Sequence, residues 1–150
     1  MSEQQPMSIS NQESAGMAVF QLISEYEDLP FKATAETLQW QNLGSKEGIG
    51  IYVMQGAYYI SKYVSGSYKG LVPLRIIYKT NPTSNKGRKA ADDFMNSLAS
   101  WLEKCTATFT DEHMELESIE RTSPVLKQDA DEQGNELYMF TINLKYFYKM

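Results

Sequence analysis

The sequence predicts an α+β fold, in which two principal helices pack on a mainly antiparallel, mixed β-sheet that includes a long C-terminal β-hairpin. Three observations support this fold class. Two segments, one near the start of the chain and one past its middle, carry apolar residues at helical spacing. Short apolar runs set off by glycines lie between these segments. The last segment alternates strictly between apolar and polar residues, as a half-buried strand does.

The first helix is predicted to begin at Ser10. Ser10 and Glu13 have the spacing of a capping box, in which each side chain binds the backbone N–H of the other residue. Pro30 ends the helix, because the residue before a proline is pushed out of the α region. We expect residues 1–9 to form a flexible segment and residues 10–150 to form one domain. The helix has one apolar stripe, made by Ala15, Val19, Leu22, Ile23 and Tyr26.

A β-rich region follows the first helix. Ser65-Gly66-Ser67 is predicted to form a hairpin turn, since glycine supplies the positive φ that a tight turn often needs. Pro73 lacks an N–H, so its strand is expected at a sheet edge or with a bulge. The predicted strands are Phe31–Trp40, Ile49–Met54, Ala57–Val64 and Tyr68–Thr80.

The second helix is predicted to follow a loop at residues 81–85. Its apolar stripe consists of Ala91, Phe94, Leu98, Trp101, Leu102 and Cys105. Cys105 on this stripe is interpreted as a small buried hydrophobic residue. Because it is the only cysteine, it cannot form an internal disulfide, and nothing demands an oxidising compartment.

The chain is predicted to close with a long hairpin. Its first arm runs from Met114 to Leu126 with a bulge near Pro124, its turn is the acidic stretch Asp129–Asn135, and its second arm is Leu137–Tyr148. A single strand over the second arm spans about 40 Å at ~3.4 Å per residue, whereas strands of about 5–6 residues are the most common. One end is therefore expected to protrude from the core and to present Tyr and Phe to a partner.

Composition limits the possible functions. The 14 basic and 19 acidic side chains give a formal net charge of -5, which argues against a protein that grips nucleic acid through its phosphates. The first ten residues are polar and do not resemble a secretory signal. No apolar run approaches the roughly 20 residues that a transmembrane helix needs. The expected place of synthesis is the cytoplasm.

The sequence offers no pattern of catalytic, cofactor-binding or metal-binding residues. His113 lies in an acidic stretch and is interpreted as solvated rather than catalytic. The chain has no P-loop, and Gly44, Gly48 and Gly50 do not satisfy the dinucleotide-binding pattern. The acidic turn lacks the glycine and glutamate that a calcium loop requires. The basic cluster 85–89 is interpreted as a solvated helix start.

Residues 63–74, with the sequence YVSGSYKGLVPL, resemble a glycine-containing hairpin of the tail terminator, or minor capsid, proteins of siphophages and prophages of Gram-positive bacteria. The helix with Phe94 and Trp101 is placed as in that family, and so are the segments 119–124 and 137–146. The resemblance covers roughly residues 12 to 148. It implies a small α+β subunit that forms a ring, usually a hexamer, on the head-proximal end of the tail tube.

The family resemblance also implies the partners and the location. The expected partners are further copies of the chain, the major tail tube protein and the head-completion or neck proteins, in the tail or neck of a virion. Viral DNA is expected to pass through the ring without specific binding, and no membrane partner is expected. An acidic ring would repel DNA during ejection, so we expect acidic side chains to line its lumen.

The aromatic residues suggest where subunits meet. Tyr58 and Tyr59 are neighbours on a strand, so one ring is expected to face the core and the other to face outward. Changing the outward tyrosine to alanine is expected to weaken assembly. The six residues proposed for the subunit interface are Tyr58, Tyr59, Tyr63, Tyr68, Tyr146 and Tyr148.

Two alternatives remain open at this stage. A head-to-tail joining or stopper protein of the neck has the same size and charge, and the sequence separates it poorly from a terminator. A cytoplasmic domain that binds a small ligand or a peptide is the other possibility. It predicts a concave apolar pocket and a monomer or dimer in solution.

Overall fold

The computed structural model describes residues 5–31, 38–40, 47–105, 109, 111–129 and 134–150. Within these residues two helices and eight strands form the predicted α+β fold, with an almost entirely antiparallel sheet. The helices are α1 (Ile9–Ser24) and α2 (Asn85–Glu103). The strands are β1 (Gln5–Pro6), β2 (Leu38–Trp40), β3 (Gly48–Val53), β4 (Tyr58–Lys62), β5 (Tyr68–Thr80), β6 (Met114–Arg121), β7 (Leu126–Asp129) and β8 (Glu136–Tyr148).

The sheet is built on two strands of 13 residues each, β5 and β8, which pair along their whole length. On the outer side of β5, β4 pairs with the first part and β3 with the second. On the outer side of β8, β7 pairs with the first part and β6 with the second. β1 adds to β4, and β2 adds to β3 as the one parallel pair.

Both helices pack on one face of this sheet, because alternate residues of the two long strands are apolar and fully buried on that side. Val72, Leu74 and Ile76 of β5 lie opposite Leu144, Ile142 and Phe140 of β8, and none of the six is exposed. α1 lies over β2, β3 and β5, while α2 lies over β6 and β8. In the described part of the chain no helix covers the other face, here called the open face.

The two helix stripes are confirmed except for Tyr26 and Cys105, which lie beyond the last residues of α1 and α2. α1 also has different ends from those predicted. The N-cap is Ser8, whose hydroxyl oxygen accepts a hydrogen bond from the Asn11 N–H at 3.2 Å, so the helix begins before Ser10. The helix ends at Ser24, well ahead of Pro30. Of the predicted stripe, Ala15, Val19, Leu22 and Ile23 are buried, as are Ala91, Leu98 and Leu102 of α2.

Residues 5–9 were predicted to be flexible, and the structure corrects this. Gln5 and Pro6 pair with β4, and Met7 is only 4% exposed. The side chain of Met7 packs over Gly70. A Cβ atom at position 70 would collide with the Cε atom of Met7 and would lie 3.2 Å from the ring of Tyr146. The folded domain therefore includes this segment.

Pro73 lies in the central strand β5, not at a sheet edge. The proline is tolerated there because β4 and β3 leave a short unpaired stretch of β5 between them. The β4 pairing stops at Leu71 and the β3 pairing starts at Leu74. The Pro73 carbonyl accepts a hydrogen bond from the Met54 N–H on that side. Since the nitrogen and the carbonyl of one residue point to the same side of a strand, the missing N–H falls in the gap and costs no bond to β8.

The first arm of the closing hairpin is broken rather than bulged at Pro124. β6 ends at Arg121 and β7 begins at Leu126. Across the break the Ser123 hydroxyl accepts a hydrogen bond from the Thr141 N–H at 3.0 Å, in place of a backbone carbonyl. Residues 32–37 of the predicted first strand and residues 130–133 of the predicted acidic turn lie outside the described residues.

A buried carboxylate joins the second arm of the hairpin to α2. The side chain of Glu136 is 8% exposed, and its carboxylate lies 3.1 Å from both Arg88 Nε and Lys127 Nζ. It also accepts a hydrogen bond of 2.8 Å from the hydroxyl of Tyr138. Burial acts to raise the pKa of Glu136, but the hydrogen bonds from these three partners outweigh it and lower the pKa below its usual value.

Candidate assembly surfaces

The structure places two of the six predicted interface tyrosines inside the subunit. Tyr68 is 5% exposed and Tyr146 is completely buried. Their hydroxyl oxygens lie 3.0 Å apart, and that of Tyr146 also lies 3.5 Å from Met7 Sδ. Burial raises the pKa of both hydroxyls, so they stay protonated. These two residues therefore stabilise the core and have no surface to offer another subunit in this conformation.

The same placement corrects the expectation that the last strand protrudes. β5 accompanies β8 to its final residue, with Tyr68 paired to Tyr148. The stacked rings of this pair have centroids 5.2 Å apart, and Tyr148 is half-buried. A long strand does not outrun the core when a neighbour of equal length pairs with it throughout.

Tyr58 and Tyr59 face opposite sides of the sheet, as the sequence predicted. Tyr59 lies across from Gly70 on the helix-covered side, and its hydroxyl accepts a hydrogen bond of 2.8 Å from Asn11 Nδ2. Tyr58 lies across from Leu71 on the open face and is half-buried there. Tyr58 is thus the outward member of the pair, and it remains a predicted interface residue.

Changing Tyr58 to alanine is expected to weaken subunit association by about tenfold, because tyrosines at interface centres contribute on the order of 1–2 kcal/mol each. Analytical ultracentrifugation over a concentration series measures the association. Tyr52→Ala is the matched control, since Tyr52 is another half-buried tyrosine, on the same face of β3. Unchanged association of the Tyr58 variant would exclude this residue from the contact.

The turn between β4 and β5 carries an exposed apolar group that the sequence did not single out. Its tight turn uses Gly66 at φ 96 and is closed by a hydrogen bond of 2.9 Å from the Tyr63 N–H to the Ser67 carbonyl. The C-terminal Met150 packs against Gly66. We call this group the hairpin tip; its exposed members are Ile60 (42%), Tyr63 (49%), Val64 (109%) and Met150 (68%).

A second surface lies on β6. It is at the same end of the sheet as the hairpin tip, and β5 and β8 lie between β6 and β4. β6 pairs only with β8, so its outer backbone edge has no partner strand within the described residues. Exposed glutamates follow one another along it. We call this surface the acidic edge; it consists of Glu115, Glu117 and Glu120.

The open face bears a shallow depression of about 490 Å³ near the end of β3. Arg75 is the one charged side chain in its lining and is exposed. The volume falls within the range of small-molecule sites, but such sites usually enclose most of a ligand. The lining residues are Tyr52, Val53, Met54, Gln55, Arg75 and Ile77.

The described residues contain no group of three or more side chains that could hold a metal ion together. His113 is exposed, and its Nδ1 lies 2.8 Å from the Lys149 carbonyl oxygen, where it helps to hold the end of the chain. Neither helix of the described part has the length and apolar character needed to cross a bilayer.

Comparison with known proteins shows a shared fold. No protein-family model and no curated protein matches the sequence. Among solved structures, the chain is similar to a chain from the "Virion of native gene transfer agent (GTA) particle", with a TM-score of 0.50 and 8% sequence identity. The superposition covers 93% of this chain and 92% of that chain. At this identity the likeness concerns the fold alone.

Proposed function

We propose that this chain is a non-enzymatic structural protein of a phage-like virion, and specifically a tail terminator that forms a ring on the head-proximal end of the tail tube. The observation that carries the proposal is the match, over more than nine-tenths of both chains, to a subunit of a gene transfer agent virion. The resemblance of residues 63–74 and of the later helix and hairpin to tail terminators supports the finer assignment.

The geometry of the sheet suits a ring. Consider the end of the sheet where β5 begins and β8 ends. There the two sides of the sheet differ: the β4 side bears the hairpin tip, and the β6 side bears the acidic edge. Two unlike surfaces on opposite sides of a subunit favour head-to-tail contacts, which generate a ring when the rotation closes. Six modest contacts then act together, so that a hexamer is stable although each contact is weak.

The proposed partners follow from the position at the end of a tube. A tube is an open stack in which the top of each ring binds the bottom of the next. A terminator matches the major tail tube protein on one side and offers the other side to head-completion or neck proteins. DNA passes through the lumen, which we expect to be lined by acidic side chains; a basic lumen in the assembled ring would contradict that expectation.

Removing the gene from a producing phage or prophage is expected to give tubes of uncontrolled length without attached heads, because nothing then stops the stacking of tube rings. Electron microscopy of the lysate measures tube lengths. Restoring the gene in trans on a plasmid is the control and should restore a narrow length distribution.

The same experiment separates the alternatives. A head-to-tail joining or stopper protein predicts tubes of normal length without heads. A ligand-binding or peptide-binding domain predicts complete particles, and for such a protein light scattering should find a monomer or dimer with a ligand in the depression beside Arg75. Either result would contradict the terminator assignment.

A further inference from the structure

The hairpin tip concentrates exposed apolar surface at one point of the molecule. Among the described residues seven large hydrophobic side chains are exposed, and four of them belong to the tip. The others, Ile9, Met17 and Leu126, lie on α1 and β7. Contiguous exposed apolar groups on soluble proteins usually mark a contact with another molecule, whereas scattered ones do not.

The charges around the tip identify the chemistry of its partner. The segments that build the tip, residues 58–69 and 145–150, contain four lysines and no Asp or Glu. Residues 111–120, which include most of β6, contain five acidic residues and no Lys or Arg. The two surfaces are therefore opposite in charge. Of the four lysines, Lys62 lies on β4, with β5 and β8 between it and β6, whereas Lys145 lies on β8, directly beside β6. Complementary charges across an interface favour the correct pairing and disfavour others.

The acidic edge also excludes the simplest alternative, a symmetric pair of β6 strands. An unpaired edge strand invites another strand, and charged side chains along it are the usual defence. Two β6 edges brought together would set glutamates against glutamates, and like charges directly opposite each other destabilise a strand pair. A partner with lysines meets no such repulsion. Within one subunit Lys69 already pairs with Glu117, at 3.1 Å.

We infer that the hairpin tip of one subunit docks against the acidic edge of a second copy of this chain. Tyr63 and Val64 supply the apolar contact, while Lys62 and Lys149 face Glu115 and Glu120. The inference rests on the proposed ring and identifies its subunit contact. Because the two surfaces differ, the contact is head-to-tail and leaves one tip and one acidic edge free at every step until the ring closes.

Disulfide capture between two separately purified variants tests this contact. One variant carries Val64→Cys and the other Glu115→Cys, each with Cys105→Ser so that no native thiol interferes. Mixing them under mild oxidation is expected to give a cross-linked heterodimer in at least about tenfold excess over either homodimer. A control replaces Val64→Cys by Leu126→Cys, because Leu126 is equally apolar and is 53% exposed on β7, outside the tip. High salt should reduce the capture, since exposed charges are then screened.

The outcomes separate this contact from the proposed function. No heterodimer at high protein concentration, or equal capture with the Leu126 control, would overturn the contact. A ring that still forms in the variant Val64→Asp would also overturn the contact and leave the terminator assignment standing. Capture of the heterodimer together with normal tube lengths in the gene-deletion experiment would instead reject the terminator and retain the contact.

Discussion

Replacing Tyr146 by alanine is expected to lower the free energy of unfolding by about 3–5 kcal/mol, the usual cost of truncating a fully buried aromatic side chain. Tyr146 is completely buried and forms edge contacts with the Tyr68 ring, their centroids 5.7 Å apart. Its removal leaves a cavity beneath Met7 and deprives the Tyr68 hydroxyl of its partner. Guanidinium denaturation followed by circular dichroism measures the change.

Two further variants make this prediction specific. Tyr146→Phe keeps the ring and loses only the hydroxyl contacts, so a loss of about 1–2 kcal/mol is expected. Tyr63→Ala removes a tyrosine that is 49% exposed and has one edge contact, with the Phe147 ring, so it should lower stability by only about 1 kcal/mol. Equal effects of the Tyr146→Ala and Tyr63→Ala substitutions would mean that Tyr146 is not part of the core, and the interface role predicted from the sequence would return.

Replacing Glu136 by alanine is expected to lower the free energy of unfolding by about 2–3 kcal/mol at neutral pH, because hydrogen bonds to a charged group are lost and a buried hydroxyl is left without its acceptor. The hydroxyl is that of Tyr138, which is 2% exposed. Arg88 and Lys127 are more exposed, at 41% and 44%, and can return to water. Thermal denaturation measures the difference. Asp93→Ala, which breaks the exposed pair with Lys89, is the control and should cost about 0.5 kcal/mol or less.

The contribution of Glu136 to the free energy of unfolding depends on pH. The pKa of this carboxyl in the folded protein lies below its usual value of 4.5. A depressed pKa means that the ionised form is favoured by folding, so the stabilisation is complete above pH 4.5 and is lost as the pH falls through the folded pKa. The stability difference between the wild type and Glu136→Gln should therefore shrink in acid. A difference that grows in acid would show that the pKa is raised instead.

Local patterns in the sequence determined much of the fold. The stripes from Ala15 to Ile23 and from Ala91 to Leu102 identified the two helices, because a period of 3.6 residues places these side chains on one side of any helix. The alternation from Tyr138 to Tyr146 identified β8 and its buried face. A period of two residues places alternate side chains on one face of any strand, whichever strands pair with it.

The candidate surfaces were only partly predictable. Tyr58 and Tyr63 were identified from the sequence, but Ile60, Val64 and the acidic edge were not. Alternation shows that two sets of residues face opposite sides of a strand and cannot show how far each side chain is covered. The lysines of residues 58–69 and the acids of residues 111–120 were visible as charges. The positions of β4 and β6, on either side of the pair β5 and β8, were not visible, because strand order depends on pairings between distant segments.

The sequence by itself thus determined the fold class, the two helices and the alternating last strand, since each depends on the spacing of residues that are close in the chain. Tertiary structure alone decided that β5 pairs with β8 along its whole length, that Pro73 sits in a gap between β4 and β3, and that Tyr146 is buried while Val64 is exposed. Each of these depends on which distant strand pairs with which residue. That choice is made by the packing of the whole core, and no short segment contains it.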